Sequence, residues 1–202
     1  MDKFSFFFAF YGLILGLAVT ELLGGFARLV RARAVKYLEP QTALLALLIF
    51  ILICATWVDA WQSLKAINLQ FDALAAPILL ATSYYLVAAV VFPTDPKDFP
   101  RIGEYYAERK RFMVALLLVA ELVEAYTYSS VYADELAHRP PVFWLWLLPY
   151  NVAIKGSFIA LFFVRGRRAN IVLLGALILL FLVPYWEQGA VDSAIAHAYG
   201  YK

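Results

Sequence analysis

Six blocks of this sequence run with almost no charge: 4–27, 42–61, 74–92, 112–132, 142–164 and 169–186. A bilayer's hydrocarbon core takes about 20 mostly apolar residues of α-helix to cross. The blocks are continuously apolar rather than alternating, so they predict helices and not the strands of a β-barrel. A soluble domain is roughly half apolar and a quarter charged. This chain is 64% hydrophobic and 16% charged, and the excess sits in these blocks. The expected fold is therefore an all-α integral membrane bundle of six transmembrane helices, with no soluble domain.

Helix punctuation agrees. Pro93 closes the third block, because proline lacks the N–H and its ring clashes with the preceding turn. Lys3 followed by apolar residues resembles a signal peptide, but the apolar run continues to about Ala27 with no small-residue cleavage site, so a retained span is expected.

Basic residues orient the bundle. Arg28, Arg31, Arg33 and Lys36 follow the first span. Lys97, Arg101, Arg109, Lys110 and Arg111 follow the third, and Arg165, Arg167 and Arg168 follow the fifth. The other side holds only Lys3, Lys65, Arg139 and Lys202. The positive-inside bias places connections 28–36, 97–111 and 165–168 in the cytoplasm and both termini outside. Trp57, Trp61, Trp144, Trp146 and Trp186 fall near the outer ends of their spans, where amphipathic indoles prefer the interfacial layer. The expected location is a plasma membrane such as the bacterial inner membrane.

The longest connection reads "PTDPKDFPRIGEYYAERKR". Asp95 before Pro96 has the form of a helix start, and residues 102–111 are expected to form a short interfacial helix. In the first span Gly12, Gly16, Thr20 and Gly24 recur at steps of four, a small-residue stripe that lets membrane helices approach closely, within the chain or between protomers.

The chemistry-bearing residues lie inside the spans. Glu121, Glu124 and Tyr128 share one face of the fourth span, and Asn151 and Lys155 share a face of the fifth. Counting 1.5 Å per residue from the basic ends places Glu121 at the depth of Lys155 and Glu124 at that of Asn151. The expected pairs are Glu121 with Lys155, and Glu124 with Asn151 or Tyr128. Glu21 lies lower on the first span, within reach of the same cleft. Asp59 is close enough to the outer interface to be solvated there and is given no role.

Charged groups within a bilayer mark ion and proton pathways more often than glue, and one lysine cannot neutralise two carboxylates. These residues point to a channel- or transporter-like protein passing protons or cations. Two other readings remain open: an accessory subunit of a larger membrane complex, or a sensor binding a lipid or quinone. The expected partners are the lipid bilayer and further membrane subunits or copies of the chain. The net charge of +2 gives no reason to expect nucleic acid.

Enzymatic and metal signatures are missing. His138 and His197 lie outside the spans, so no intramembrane haem is expected. Zinc-type clusters, a nucleophile elbow and a phosphate loop are likewise absent from the sequence. Cys54 is the single cysteine, so no intramolecular disulfide forms. No cofactor, metal or catalytic residue is expected.

Overall fold

A computed structural model describes residues 3–63 and 71–182. The expected end of the sixth span (183–186), the outer tail, His197 and Lys65 lie outside the described residues. About 90% of the structure is helical, and no strand occurs among the described residues. The helices are α1 (Lys3–Arg31), α2 (Pro40–Ser63), α3 (Phe71–Val90), α4 (Ile102–Val131), the short α5 (Ala133–Ala137), α6 (Pro141–Phe163) and α7, described over 167–182. Four of them, α1, α2, α4 and α6, are long and apolar enough to cross a membrane; the apolar part of α3 is shorter, Ala75–Val90.

The long helices alternate in direction. The Phe8 ring, near the start of α1, lies 5.3 Å from that of Trp57 and 5.2 Å from that of Trp61, near the end of α2. Gly25 of α1 abuts Phe92, just past α3. Tyr105, at the start of α4, donates to the Val90 carbonyl at the end of α3, 2.9 Å away. Lys110 of α4 donates to the Val164 carbonyl that follows α6. Asn170 of α7 lies beside Tyr106 and Lys110, and Tyr150 of α6 donates to the Leu180 carbonyl at 2.9 Å. All three basic connections therefore gather at one end of the bundle. α3 sits centrally, flanked by α1 and α4, while α2 touches all three and α6 lies outside α4.

Local signals act where the sequence has them. Asp95 caps the 3-10 turn Pro96–Arg101, its carboxylate accepting the Lys97 N–H at 2.9 Å. The expected separate interfacial helix over 102–111 does not form. Those residues are instead the first turns of α4, which runs unbroken for 30 residues. Charge removes this segment from a hydropathy window, but Glu, Ala, Arg and Lys are good helix formers, so nothing interrupts the helix.

α1 ends in a Schellman turn. Ala34 N–H reaches the Leu29 carbonyl at 2.9 Å and Arg33 N–H the Val30 carbonyl at 3.0 Å, with Arg33 left-handed at φ 52°. Ala34 and Leu29 are both buried, which completes the apolar contact typical of this cap.

Of the small-residue stripe, Gly12 meets a neighbour closely: a Cβ there would lie 2.5 Å from the Trp57 ring. Gly16 and Thr20 are exposed, and Thr20 bonds back to the Gly16 carbonyl at 2.8 Å. Gly24 has only the Arg28 side chain near it, at 3.9 Å. The other close approach on α1 is at Gly25, where a Cβ would lie 2.6 Å from Phe92.

Candidate functional site

The buried face of α4 carries Ile102, Tyr106, Lys110, Met113, Val114, Leu117, Ala120 and Glu121. This is a single stripe of helical period in which an apolar stretch separates Lys110 from Glu121. These two, 11 residues or ~16 Å apart, belong to two different polar sites.

The inner site surrounds Glu121 and Glu124. Glu121 is 6% exposed, and its Oε1 has no hydrogen-bond partner among the described residues. Glu124, one turn further, is partly buried. The two carboxylates interact electrostatically, and Lys155 of α6 acts on both. Lys155 Nζ donates to Asn151 Oδ1 at 2.7 Å, while the Asn151 amide donates to the Leu147 carbonyl at 3.0 Å. Asn151 thus holds the lysine in place on its own helix. Tyr128 is 44% exposed and packs on Tyr132 at 4.9 Å. Glu21 is half-buried on α1, ten residues or ~15 Å along the helix from Tyr11 and so at the level of the apolar middle.

Sequence reasoning missed several members of this site. Asp59 of α2 acts on Glu124 and also on Tyr11 and Tyr150. The buried Tyr11 of α1 and Tyr84 of α3 lie within the field of Glu124, and Tyr84 also within that of Glu121. Thr56 of α2 donates to the Tyr84 hydroxyl at 3.3 Å. Electrostatic interaction therefore links three carboxylates, one lysine and three tyrosines from α1, α2, α3, α4 and α6. The available signal was Asp59's spacing from Thr56, i and i+3 on one helix face; its closeness to Trp61 hid it. No group of three acidic, histidine or cysteine side chains among the described residues is close enough to hold a metal ion.

Below this cluster the bundle is packed with apolar side chains. Met113, Val114, Leu117 and Ala120 of α4, Phe158 and Leu161 of α6, and Leu174 and Leu177 of α7 are each 0% exposed. Val87 of α3 belongs to the same core.

The opposite end of the apolar layer is a knot of hydrogen bonds at the basic end. Lys110, 6% exposed, donates to Asn170 Oδ1 at 3.1 Å and to the Val164 carbonyl. Tyr106 donates to the same Asn170 oxygen at 3.3 Å, and the Asn170 amide donates to the Gly166 carbonyl at 2.8 Å. In the sequence Lys110 is one of five bases in the connection after the third block. Extending the apolar stripe of α4 back by its own period, from Leu117 through Met113, would have placed it inside.

The chain matches no protein-family model, and neither curated proteins nor solved structures show a significant match to it.

Proposed function

We propose that the chain is a six-span membrane protein, with both termini outside and its basic end cytoplasmic, that passes protons through the inner cluster. The alternating helices and the gathering of three basic connections at one end support the topology. α3 and α7 then cross as short spans, which the bilayer accommodates by local thinning.

The observation that carries the function is Glu121. A carboxylate oxygen this buried with no donor costs free energy that structure alone does not require, since hydrogen-bonded or apolar residues serve helix packing better. Among the described residues Lys155 is the cation that acts on both Glu121 and Glu124, and one lysine balances one carboxylate, so bound protons or cations complete the charge balance. A proton is favoured over a coordinated metal ion because, among the described residues, no three acidic side chains converge on one point. The apolar layer between the cluster and Lys110 closes the path toward the basic end. That fits a carrier or gated path with access from one side at a time rather than an open pore.

The test is proton flux into proteoliposomes, read with an interior pH dye. Flux should be present in the wild type and lost in Glu121→Gln with Glu124→Gln. Equal flux in both, or none in the wild type, refutes the proposal.

A second reading, an accessory subunit of a larger assembly, is favoured by how little of α6 the chain covers: Leu145 is 77% and Val152 69% exposed. Foreign subunits retained on α6 after purification in mild detergent, and released by polar substitutions at Leu145 and Val152, would support it.

A further inference from the structure

At the basic end, a groove of ≈ 420 Å³ lies between the first turns of α4, the α6–α7 turn and the start of α2. Four cations line it, Lys110, Arg111, Arg165 and Arg167, against one carboxylate, Glu108. A solvated helix face normally mixes both signs, whereas here the cations come from two segments far apart in sequence, α4 and the α6–α7 turn, and meet around one opening.

Their bonding leaves donors unspent. Lys110 is buried, yet among the described residues it meets only neutral acceptors, the Val164 carbonyl and Asn170 Oδ1. The α6 dipole offsets about half a charge at that carbonyl and no more. Arg111 lies over the Phe162 ring with its guanidinium 5.7 Å from the centroid, and among the described residues no carboxylate pairs with it. Arg165 is exposed. Arg167 approaches Glu39 through Nε at 3.7 Å, leaving its terminal nitrogens available. α7 begins at residue 167, and its first-turn N–H groups have no intrahelical acceptor.

We propose that this groove binds a phosphate-bearing anion, of the kind a phospholipid headgroup or a free phosphate presents. Guanidinium forks match phosphate oxygens two at a time, and a helix start adds N–H donors and a positive dipole end. Phe162 on the groove wall gives the organic substituent of the phosphate an apolar surface to lie on. In a membrane the groove falls at the headgroup layer of the basic side, where pockets of this composition hold anionic lipid. The site is independent of the proton path above the apolar layer.

The test uses the full chain in detergent, with bound lipid counted by native mass spectrometry after mixing with phosphatidylglycerol or phosphatidylcholine. The wild type should prefer phosphatidylglycerol, and Arg111→Gln with Arg165→Gln, both exposed and harmless to folding, should weaken that preference about fivefold for each cation removed. A parallel titration with inorganic phosphate identifies the source. Phosphate that binds with the same arginine dependence and displaces the lipid supports the site with a free phosphate as occupant; phosphate without effect supports a lipid headgroup. Arg31→Gln with Lys97→Gln, which do not line the groove, should change nothing. An equal loss in that control, or no preference for phosphatidylglycerol together with no phosphate binding, overturns the proposal.

Discussion

Asn170 Oδ1 lies 3.1 Å from Lys110 Nζ across the contact between α7 and α4. The same oxygen accepts from Tyr106, so one side chain satisfies two buried donors from a neighbouring helix and fixes the start of α7. Asn170→Leu leaves Lys110 and Tyr106 short of an acceptor and is expected to lower stability by about 2 kcal/mol, read as an earlier thermal transition in detergent. Asn170→Asp keeps an acceptor and gives Lys110 a counter-charge but gives up the amide donor to the Gly166 carbonyl, so it should melt above Asn170→Leu. Equal melting of the two variants would show that the knot contributes nothing.

The glycines of α1 separate contact from pattern. Gly12→Ala drives a methyl into the Trp57 ring and is expected to destabilise by about 1–3 kcal/mol in thermal or denaturant melts. Gly16→Ala meets nothing within 4 Å and should leave the isolated chain as stable as the wild type or more stable by up to about 1 kcal/mol. If copies of the chain associate along this face, Gly16→Ala instead shifts the oligomer distribution in size-exclusion profiles.

This contrast shows how far the sequence could be read. Helix positions were legible because hydropathy and proline act locally: α2, α3 and α6 begin and end within a few residues of the apolar blocks, and Asp95 caps its turn as its spacing from Pro96 implies. Which glycine faces a neighbour was not legible. The stripe gives a helix face, but the neighbour's rotation is set by long-range packing, and Gly25, outside the stripe, is the residue that meets Phe92. The inner site divides the same way. Glu121, Glu124 and Lys155 stand out by charge and Asn151 by polarity within apolar blocks, whereas Tyr11 and Tyr84 look like any buried aromatic until the helices are placed side by side. Lys110 was concealed among other bases, since net charge along a segment does not say which residue points inward.

Arg33 occupies the left-handed position of the α1 cap, where a side chain costs roughly 1–2 kcal/mol. Arg33→Gly relieves that cost and loses part of it to the freer unfolded chain, leaving a net stabilisation of about 0.5–1 kcal/mol. Arg33→Ala removes the same charge but keeps the Cβ, and should give no gain. Matching thermal transitions for the two variants would rule out the backbone explanation.

Asp59 discriminates between the inner site as the structure builds it and the smaller set read from charge patterning. If Glu121 and Glu124 act alone, neutralising Asp59 at the outer end of α2 leaves proton flux unchanged. If Asp59 belongs to the cluster, its charge helps hold protons beside Glu124, and Asp59→Asn lowers flux in the proteoliposome assay while Asp59→Glu retains it. Thermal melting is the control. Asp59 and Glu124 are like charges that act on each other, so Asp59→Asn removes that repulsion while keeping a polar side chain for its other interactions. Reduced flux with undiminished stability marks a residue kept for function, because destabilising charge arrangements persist where activity requires them. Reduced flux with an equally reduced melting temperature would instead assign Asp59 to the packing of α2.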